Sequence, residues 1–228
     1  MIVNLQNNNF ILPVTTTYNF AEIPFAYPPF AFYVYGLLNA GGIPLLKLMQ
    51  FLPAIVTTLT IPAFYFFAKD VLANKQQALF STMAFALLPR TFDWLIMGGG
   101  VTRSLGFLFA ILSIHQSYLL FTNLSSRSLL LATLFSGLVV STHPEAAVHT
   151  AIAAVFIFVW KDRTLKGITR AVTVAFGTLI LSAPWWLTVL FQHGIAPLQA
   201  AQIAARENSV DFVLRIFTLI KFDLTDEP

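Results

Sequence analysis

The chain has 228 residues, of which 57% are apolar and only 10% charged, and its mean hydropathy is +0.75. Soluble domains carry about 25% charged residues, so this composition excludes a water-soluble globule and indicates a membrane protein. The net charge of +3 does not indicate a nucleic-acid partner, and the lack of cysteine excludes disulfides and thiolate metal sites. Because a membrane-spanning helix uses roughly 20 residues, we predict an all-α, polytopic helix bundle with about six transmembrane spans plus short interfacial helices.

Residues 1–44 are predicted to form an extracytoplasmic loop segment. The first 29 are rich in Asn, Thr, Tyr and Pro and end in Tyr27-Pro28-Pro29. Each proline disfavours helix in the residue before it, so irregular or extended backbone is expected there. A short aromatic helix is predicted from Phe30 to Leu38, where Asn and Gly residues end it. That helix is too short to span a membrane.

Residues 45–191 are predicted to form the transmembrane helix bundle. Three spans are expected first, at about 45–68, 78–97 and 101–122. Two short helices follow at about 128–142 and 146–160, joined by His143-Pro144-Glu145, and a last span is expected at about 168–191. Fifteen helical residues reach only about 22 Å, so the turn between the short helices should lie below the membrane surface, in a protein-lined cavity.

Residues 192–228 are predicted to form an extracytoplasmic or interfacial segment, or alternatively the start of a further span that the end of the chain cuts short. The orientation follows from the basic residues, which concentrate in the loops on one side of the predicted spans. We expect seven of them to face the cytoplasm of a multi-pass cell-membrane protein: Lys69, Lys75, Arg127, Lys161, Arg163, Lys166 and Arg170. The short loops on the opposite side hold only Lys47, Arg90 and Arg103.

Arg103 is a predicted anion-binding residue. It follows Gly98, Gly99 and Gly100 in the first turn of a helix, beside Thr102. Free backbone amides, a glycine approach without side chains and a guanidinium together suit a phosphate or pyrophosphate. The alternative is a tight interhelical turn whose arginine reaches the lipid headgroups.

Arg90 and Asp93 lie three residues apart, so they share a helix face. One interpretation is a simple ion pair between them. The other is a second anion contact from Arg90 and a carboxylate from Asp93, both directed into the cavity of Arg103.

The sharpest constellation is His143, Glu145 and His149. Glu145 and His149 are four residues apart on one helix face, and His143 precedes that helix. A carboxylate and two imidazoles inside a membrane are costly, so a functional role is the default hypothesis. They suit a general base, metal ligands or partners for an anionic headgroup. The alternative is a helix cap with a buried Glu–Arg pair, and the spacing matches no zinc pattern.

Three other sites carry weaker signals. His115 lies deep in the third span and is expected to be a core histidine bonded to a backbone or hydroxyl group. Trp185 and Trp186 beside Pro184 suggest an interfacial aromatic belt, or the walls of a lipid or sugar site. His193 follows at the outer end of the last span, where it would reach the same cavity.

Taken in order, these segments resemble the GT-C superfamily of integral-membrane glycosyltransferases, and more narrowly the prokaryotic dolichyl-phosphate-mannose-dependent mannosyltransferase-like membrane proteins. The resemblance rests on four segments: Tyr27-Pro28-Pro29-Phe30, residues 98–104 (GGGVTRS), residues 142–145 (THPE), and Pro184-Trp185-Trp186 with His193-Gly194. It implies transfer of a sugar from a polyprenyl-phosphate carrier to an acceptor at the extracytoplasmic face. The implied partners are membrane lipid and the lipid-linked donor.

The resemblance also implies roles for individual residues. Glu145, or alternatively Asp93 or Glu22, would be the base, positioned by His143 and His149. Arg103, its glycines and Arg90 would hold the phosphate, and the isoprenoid tail would lie along the Phe-rich helices. No metal site is predicted, and the cofactor is left open, a divalent cation being compatible with the chemistry.

The chain departs from that superfamily in having no first transmembrane helix followed by a loop acid. We therefore expect a fragment or a split reading frame. Two alternatives to the enzyme stay open: an inactive membrane fragment or subunit, and a transporter with an intramembrane His/Glu site.

Overall fold

A computed structural model describes residues 1–17, 22–72, 74–96 and 100–203, with the side chains of residues 89–91 left aside. In this part of the chain the regular secondary structure is helical apart from one short antiparallel pair, β1 (Thr15–Thr16) with β2 (Ile23–Pro24). The predicted all-α class is confirmed. Residues 204–228, and with them most of the predicted C-terminal segment, lie outside the described residues.

The N-terminal segment contains two helices, α1 (Ile2–Asn7) and α2 (Phe30–Ala40). The prediction of irregular backbone throughout residues 1–29 is wrong for α1. Ile2 and Leu5 lie three apart on that helix and are buried in the cluster that also holds Tyr35 of α2. Six residues were too few for a span, but they suffice for one buried turn that packs on a neighbour.

The remaining helices with both ends described follow in chain order: α3 (Leu45–Val71), α4 (Lys75–Ala86), α5 (Pro89–Ile96), α6 (Val101–Asn123), α7 (Ser126–Val140), α8 (Pro144–Lys161) and α9 (Leu165–His193). Four of them, α3, α6, α8 and α9, are long and apolar enough to cross a membrane. α2 and α7 are shorter apolar helices. A multi-pass membrane protein is supported, whereas the predicted number of six spans is not confirmed.

The predicted span at 78–97 is two helices, not one. α4 ends at Ala86 and α5 begins at Pro89. Proline has no N–H to donate and disfavours helix in the residue before it, so the break falls at Leu87 and Leu88. Asn74 is the N-cap residue of the 12-residue α4, and its side chain accepts a hydrogen bond from the Gln76 amide at 2.8 Å.

α6 lies at the centre of the bundle, against α3, α7 and α8. Contacts between side chains show which helix ends lie at the same end of the bundle. The C-terminal parts of α3, α6 and α8 meet where the Tyr118 ring lies 6.2 Å from Phe67 and 6.4 Å from Trp160, and Arg170 near the start of α9 donates to the Leu124 carbonyl. The seven basic residues predicted to share one side thus lie at one end of the bundle, called here the basic end.

The opposite end holds the N-terminal segment and the turn between α7 and α8. The Phe30 amide donates to the Ser141 carbonyl at 3.0 Å, and the Trp185 indole donates to the Ala26 carbonyl at 3.1 Å. These bonds hold the segment before α2 against both α7 and α9.

Candidate functional site

A cavity of about 430 Å³ lies at the end opposite the basic end, between α5, α6 and α8. Four of the predicted site residues line it: Arg103 from α6, His143 from the turn before α8, and Glu145 and His149 from α8. Much of the remaining wall is apolar and includes Trp94 of α5. The fold therefore brings together a cation, a carboxylate and two imidazoles that are up to 46 positions apart in the sequence.

Arg103 is a half-buried cation that has no acidic partner in the described part of the chain. Its guanidinium carbon lies 3.9 Å from the ring centroid of Trp94, a cation–π contact that orients the side chain. Among the described residues it forms no ion pair with a carboxylate. The predicted alternative of a buried pair between Glu145 and an arginine is not found there, and the charge of Arg103 stays available to an anion.

Gly100 permits the tight turn that starts α6. A Cβ atom built on Gly100 would lie 1.6 Å from the Leu95 carbonyl oxygen, so no residue with a side chain fits. The close approach of α5 to this helix start depends on that glycine. It brings Trp94 and Leu95 to the cavity beside Arg103 and leaves the first amides of α6 without intrahelical partners.

His143 and Glu145 form the start of α8. His143 is the N-cap residue in extended backbone, with Pro144 at the first helical position and Glu145 in the first turn. The His143 Nε2 atom lies 3.6 Å from Glu145 Oε2, and the two side chains are 14% and 65% exposed. Burial lowers the pKa of His143, which favours its neutral form, whereas the Glu145 carboxylate faces the cavity.

Tyr27 is a site residue that the sequence reasoning missed. Its hydroxyl lies 2.7 Å from Nδ1 of His143 and 3.1 Å from Oγ1 of Thr102. Burial raises the pKa of Tyr27, so the hydroxyl keeps its proton. The signal in the sequence was the Pro28-Pro29 pair, which restricts the backbone next to Tyr27. The partners Thr102 and His143 lie 75 and 116 residues away, so no local spacing indicates these hydrogen bonds.

Gly106 sets the distance between α6 and α8. A Cβ atom at Gly106 would lie 2.6 Å from the Cβ of His143 and 3.6 Å from that of Ala146. The absence of a side chain lets the helices approach closely enough for Arg103 and His143 to line one cavity.

The other predicted site residues are not brought together with this group. Asp93 is exposed on α5 and does not line the cavity, because the next two residues of that helix, Trp94 and Leu95, face it instead. His193 ends α9, also away from the cavity lining, and its Nε2 atom is buried without a hydrogen-bond partner among the described residues. Thr102 contacts the site through Tyr27. The side chain of Arg90 and the residues Gly98 and Gly99 lie outside the described residues.

Comparisons of the chain with protein-family models, with curated proteins and with solved structures found no match. In the described ranges, no three His, Cys, Asp or Glu residues are grouped so that they could hold a metal ion.

A second groove, of about 450 Å³, adjoins the cavity. His149 and Ile114 line both. The groove runs between α3, α6 and α8 past apolar side chains to Tyr118 and Trp160, near the basic end. Its other walls are almost wholly aliphatic or aromatic, so the polar cavity lies next to an apolar groove.

His115 has a different partner from the expected one. Its Nε2 atom lies 2.6 Å from Oδ2 of Asp70, so a carboxylate on α3 takes the place of the predicted backbone or hydroxyl group. His115 is buried, with the ring of Phe67 6.0 Å away. The pair links α3 to α6 toward the basic end and lies outside the lining of the cavity.

Proposed function

We propose that this chain is a membrane glycosyltransferase of the GT-C type, which transfers a sugar from a polyprenyl-phosphate carrier to an acceptor hydroxyl at the extracytoplasmic face. The observation that carries the proposal is the shared cavity: Arg103, which forms no ion pair with a described carboxylate, and the exposed Glu145 carboxylate line one space, and His149 belongs both to it and to an adjoining apolar groove. A lipid-linked anion has three parts that match these features: an anionic group for the cation, a reacting carbon near the carboxylate, and a hydrocarbon tail for the apolar groove.

The phosphate of the donor is assigned to Arg103 and the start of α6. The guanidinium and the first amides of the helix, which have no intrahelical partner, both favour a negative charge, and the leaving group gains charge as its bond to the sugar breaks. Gly98, Gly99 and Arg90 belong to the same proposed phosphate seat by their place in the sequence.

The reaction is a displacement at the anomeric carbon of the sugar. The acceptor oxygen attacks that carbon and loses its proton to the Glu145 carboxylate. The bond between the anomeric carbon and the phosphate oxygen breaks, and the polyprenyl phosphate leaves with the electron pair. His143 and His149 lie on either side of Glu145 along the helix and position it.

The isoprenoid tail is assigned to the groove between α3, α6 and α8. Its lining carries apolar side chains such as Phe67 and Ile152, and it begins at His149 beside the proposed reaction centre. In the proposed topology α4 with α5, and α7, complete six membrane crossings, and the basic end faces the cytoplasm.

The test uses membranes that contain the chain and a radiolabelled polyprenyl-phosphate sugar. We expect label to leave the lipid fraction, and we expect Arg103→Gln to raise the KM for the donor at least tenfold, because a charge-assisted contact is worth about 1.5–3 kcal/mol. Arg127→Gln is the matched control: it removes a guanidinium that is exposed at the basic end. Equal loss in both variants would contradict the proposed phosphate site.

Absence of transfer across a set of polyprenyl-phosphate sugars would favour the non-catalytic subunit among the alternatives. A transporter needs a polar route across the membrane. The groove that continues from His149 is apolar along its described length, which disfavours that reading.

A further inference from the structure

We propose that Tyr27 is a positioning residue of this site: its hydroxyl donates to Nδ1 of His143 and so directs the single N–H of the neutral imidazole, on Nε2, toward the Glu145 carboxylate. The order of these hydrogen bonds follows from the described geometry alone. Its role in sugar transfer rests on the proposed function.

The donors and acceptors around His143 allow two arrangements. A neutral imidazole carries one N–H and one lone pair, and the tautomer is set by the partners of the two nitrogens. Nε2 faces Glu145 at 3.6 Å, and Nδ1 faces the Tyr27 hydroxyl at 2.7 Å. An ionised carboxylate accepts and cannot donate, whereas a hydroxyl does either.

Only one tautomer of His143 places a donor opposite an acceptor at both ring nitrogens. With the proton on Nε2, the imidazole points a donor at Glu145, Nδ1 accepts from the Tyr27 hydroxyl, and the Tyr27 oxygen accepts from Thr102. With the proton on Nδ1, the Nε2 lone pair would face the carboxylate and repel it. The first tautomer is therefore selected by the neighbours.

The charged and titratable groups that face His143 agree with a neutral ring. Glu145 and His149 lie on its own helix, Arg103 lies on α6, and Tyr27 lies on the N-terminal segment. Burial lowers the pKa of His143 and outweighs the opposing charge of Glu145, which is mostly exposed to the cavity.

The position of Tyr27 is itself fixed by the fold. The residue before it, Ala26, accepts the Trp185 indole N–H at 3.1 Å, and the two prolines after it restrict its own backbone. Phe30, at the start of α2, binds Ser141 in the turn that leads to His143. The hydroxyl is thus held relative to His143 from two directions.

The resulting chain of hydrogen bonds connects the anion seat to the base. Thr102 is adjacent to Arg103 at the start of α6. Hydrogen bonds join Thr102 to Tyr27 and Tyr27 to His143, and a polar contact of 3.6 Å continues from His143 to Glu145 at the start of α8. It moves no proton during transfer, because the acceptor proton goes to Glu145. Its effect is to keep the carboxylate oriented while the phosphate is held.

The test is nitrogen NMR of the full chain labelled with ¹⁵N-histidine in detergent micelles, where only four histidines contribute and His143→Gln assigns one of them. We expect Nε2 of His143 to carry the proton and Nδ1 to appear as an acceptor. A spectrum with the proton on Nδ1, or with both tautomers equally populated, would overturn the proposal.

Tyr27→Phe keeps the ring and removes the donor. Because Nδ1 of the buried ring then loses its partner at 2.7 Å, we expect the Nδ1 resonance to lose the shift of a hydrogen-bonded acceptor, while Glu145 still keeps the proton on Nε2. Tyr33→Phe is the matched control, since the Tyr33 hydroxyl donates to the Phe10 carbonyl and not to the site. Equal spectra for wild type and Tyr27→Phe would also overturn the proposal.

A kinetic measurement separates this inference from the proposed function. In the transfer assay, Tyr27→Phe should lower kcat about tenfold, shift the pH profile and leave the donor KM unchanged, as expected for a group that orients the base. If no transfer is found while the predicted tautomer is observed, the proposed function fails and the hydrogen-bond order stands. A donor KM that rises with unchanged kcat would contradict the positioning role.

Discussion

At the scale of single residues, the cavity distinguishes Glu145 from Asp93, one of the two alternative bases that the sequence offered. Glu145 lines the cavity beside His143, whereas Asp93 is exposed on α5 and points elsewhere. The sequence predicts that both carboxylates lie on the extracytoplasmic side of the membrane. Only the orientation of their helices shows which of them lines the cavity. The proposed chemistry therefore assigns proton removal to Glu145 alone.

Glu145→Gln keeps the size of the side chain and removes the basic oxygen. We expect kcat for sugar transfer to fall about 10²- to 10⁴-fold, the usual contribution of general base catalysis, with a small change in donor KM. The comparison is Asp93→Asn, measured with the same radiolabelled donor. An equal or larger loss in Asp93→Asn would move the base to α5.

A site residue could be predicted from the sequence only where its residue type is unusual in an apolar chain. Arg103, Glu145 and His149 stand out because charged and polar groups are expensive in an apolar chain. Tyr27 does not, since tyrosine is common near membrane surfaces and its partners Thr102 and His143 lie 75 and 116 residues away.

At the scale of helices, glycines set the distances that form the site. Gly106 lets α6 approach the start of α8, and Gly137 on α7 does the same toward Leu181 on α9. A Cβ at Gly137 would lie 2.8 Å from the Cβ of Leu181, nearly the same overlap as the 2.6 Å between Gly106 and His143. The two glycines are therefore equivalent for packing and different for the site.

Gly106→Ala and Gly137→Ala form a matched pair. Each should lower stability by about 1–3 kcal/mol through overpacking, measured as thermal unfolding in detergent. Only Gly106→Ala should also lower the transfer activity per folded protein, because it displaces His143. If both variants kept full specific activity, the close approach of α6 and α8 would not be required for function.

The bond between Asp70 and His115 is a second contact between helices that can be tested. Asp70→Ala leaves the buried His115 without its carboxylate, so a loss of about 1–3 kcal/mol in stability is expected. The neighbouring Lys69→Ala, an exposed position, is the control. Replacing both partners, with Asp70→Ala and His115→Leu together, should recover part of the loss, and purely additive losses would argue against a direct bond.

At the scale of the whole molecule, the arrangement of helix ends divides the chain into a basic end and an end that carries the cavity. The positive-inside rule relates that division to the membrane and predicts that the cavity faces outward. The direction of insertion is open to a simple measurement, because the natural chain has no cysteine.

Single cysteines can report both sides. Gly41→Cys lies at the exposed end of α2, and Ser126→Cys lies at the exposed start of α7, at the basic end. An impermeant maleimide should label Gly41→Cys in intact cells and Ser126→Cys only after the membrane is opened. The reverse pattern would place the cavity in the cytoplasm and contradict an extracytoplasmic reaction.

The amino-acid sequence by itself determined the environment of this protein and the course of its helices. Apolar content, proline and glycine positions and the bias of basic residues are local or summed properties, so they predict α3, α6 and α9 within a few residues of their observed ends. Two predictions from the sequence were wrong. Residues 2–7 form a helix, α1, because Ile2 and Leu5 pack on α2, and the predicted span at 78–97 is divided before Pro89.

The tertiary structure alone decided which polar residues share a cavity. Facing directions depend on helix rotation and on close approaches such as that of Gly106 to His143, which no spacing along the chain encodes. For that reason Arg103, Glu145 and His149 line one cavity, Asp93 and His193 do not, and Tyr27 joins the site through hydrogen bonds to residues 75 and 116 positions away in the sequence.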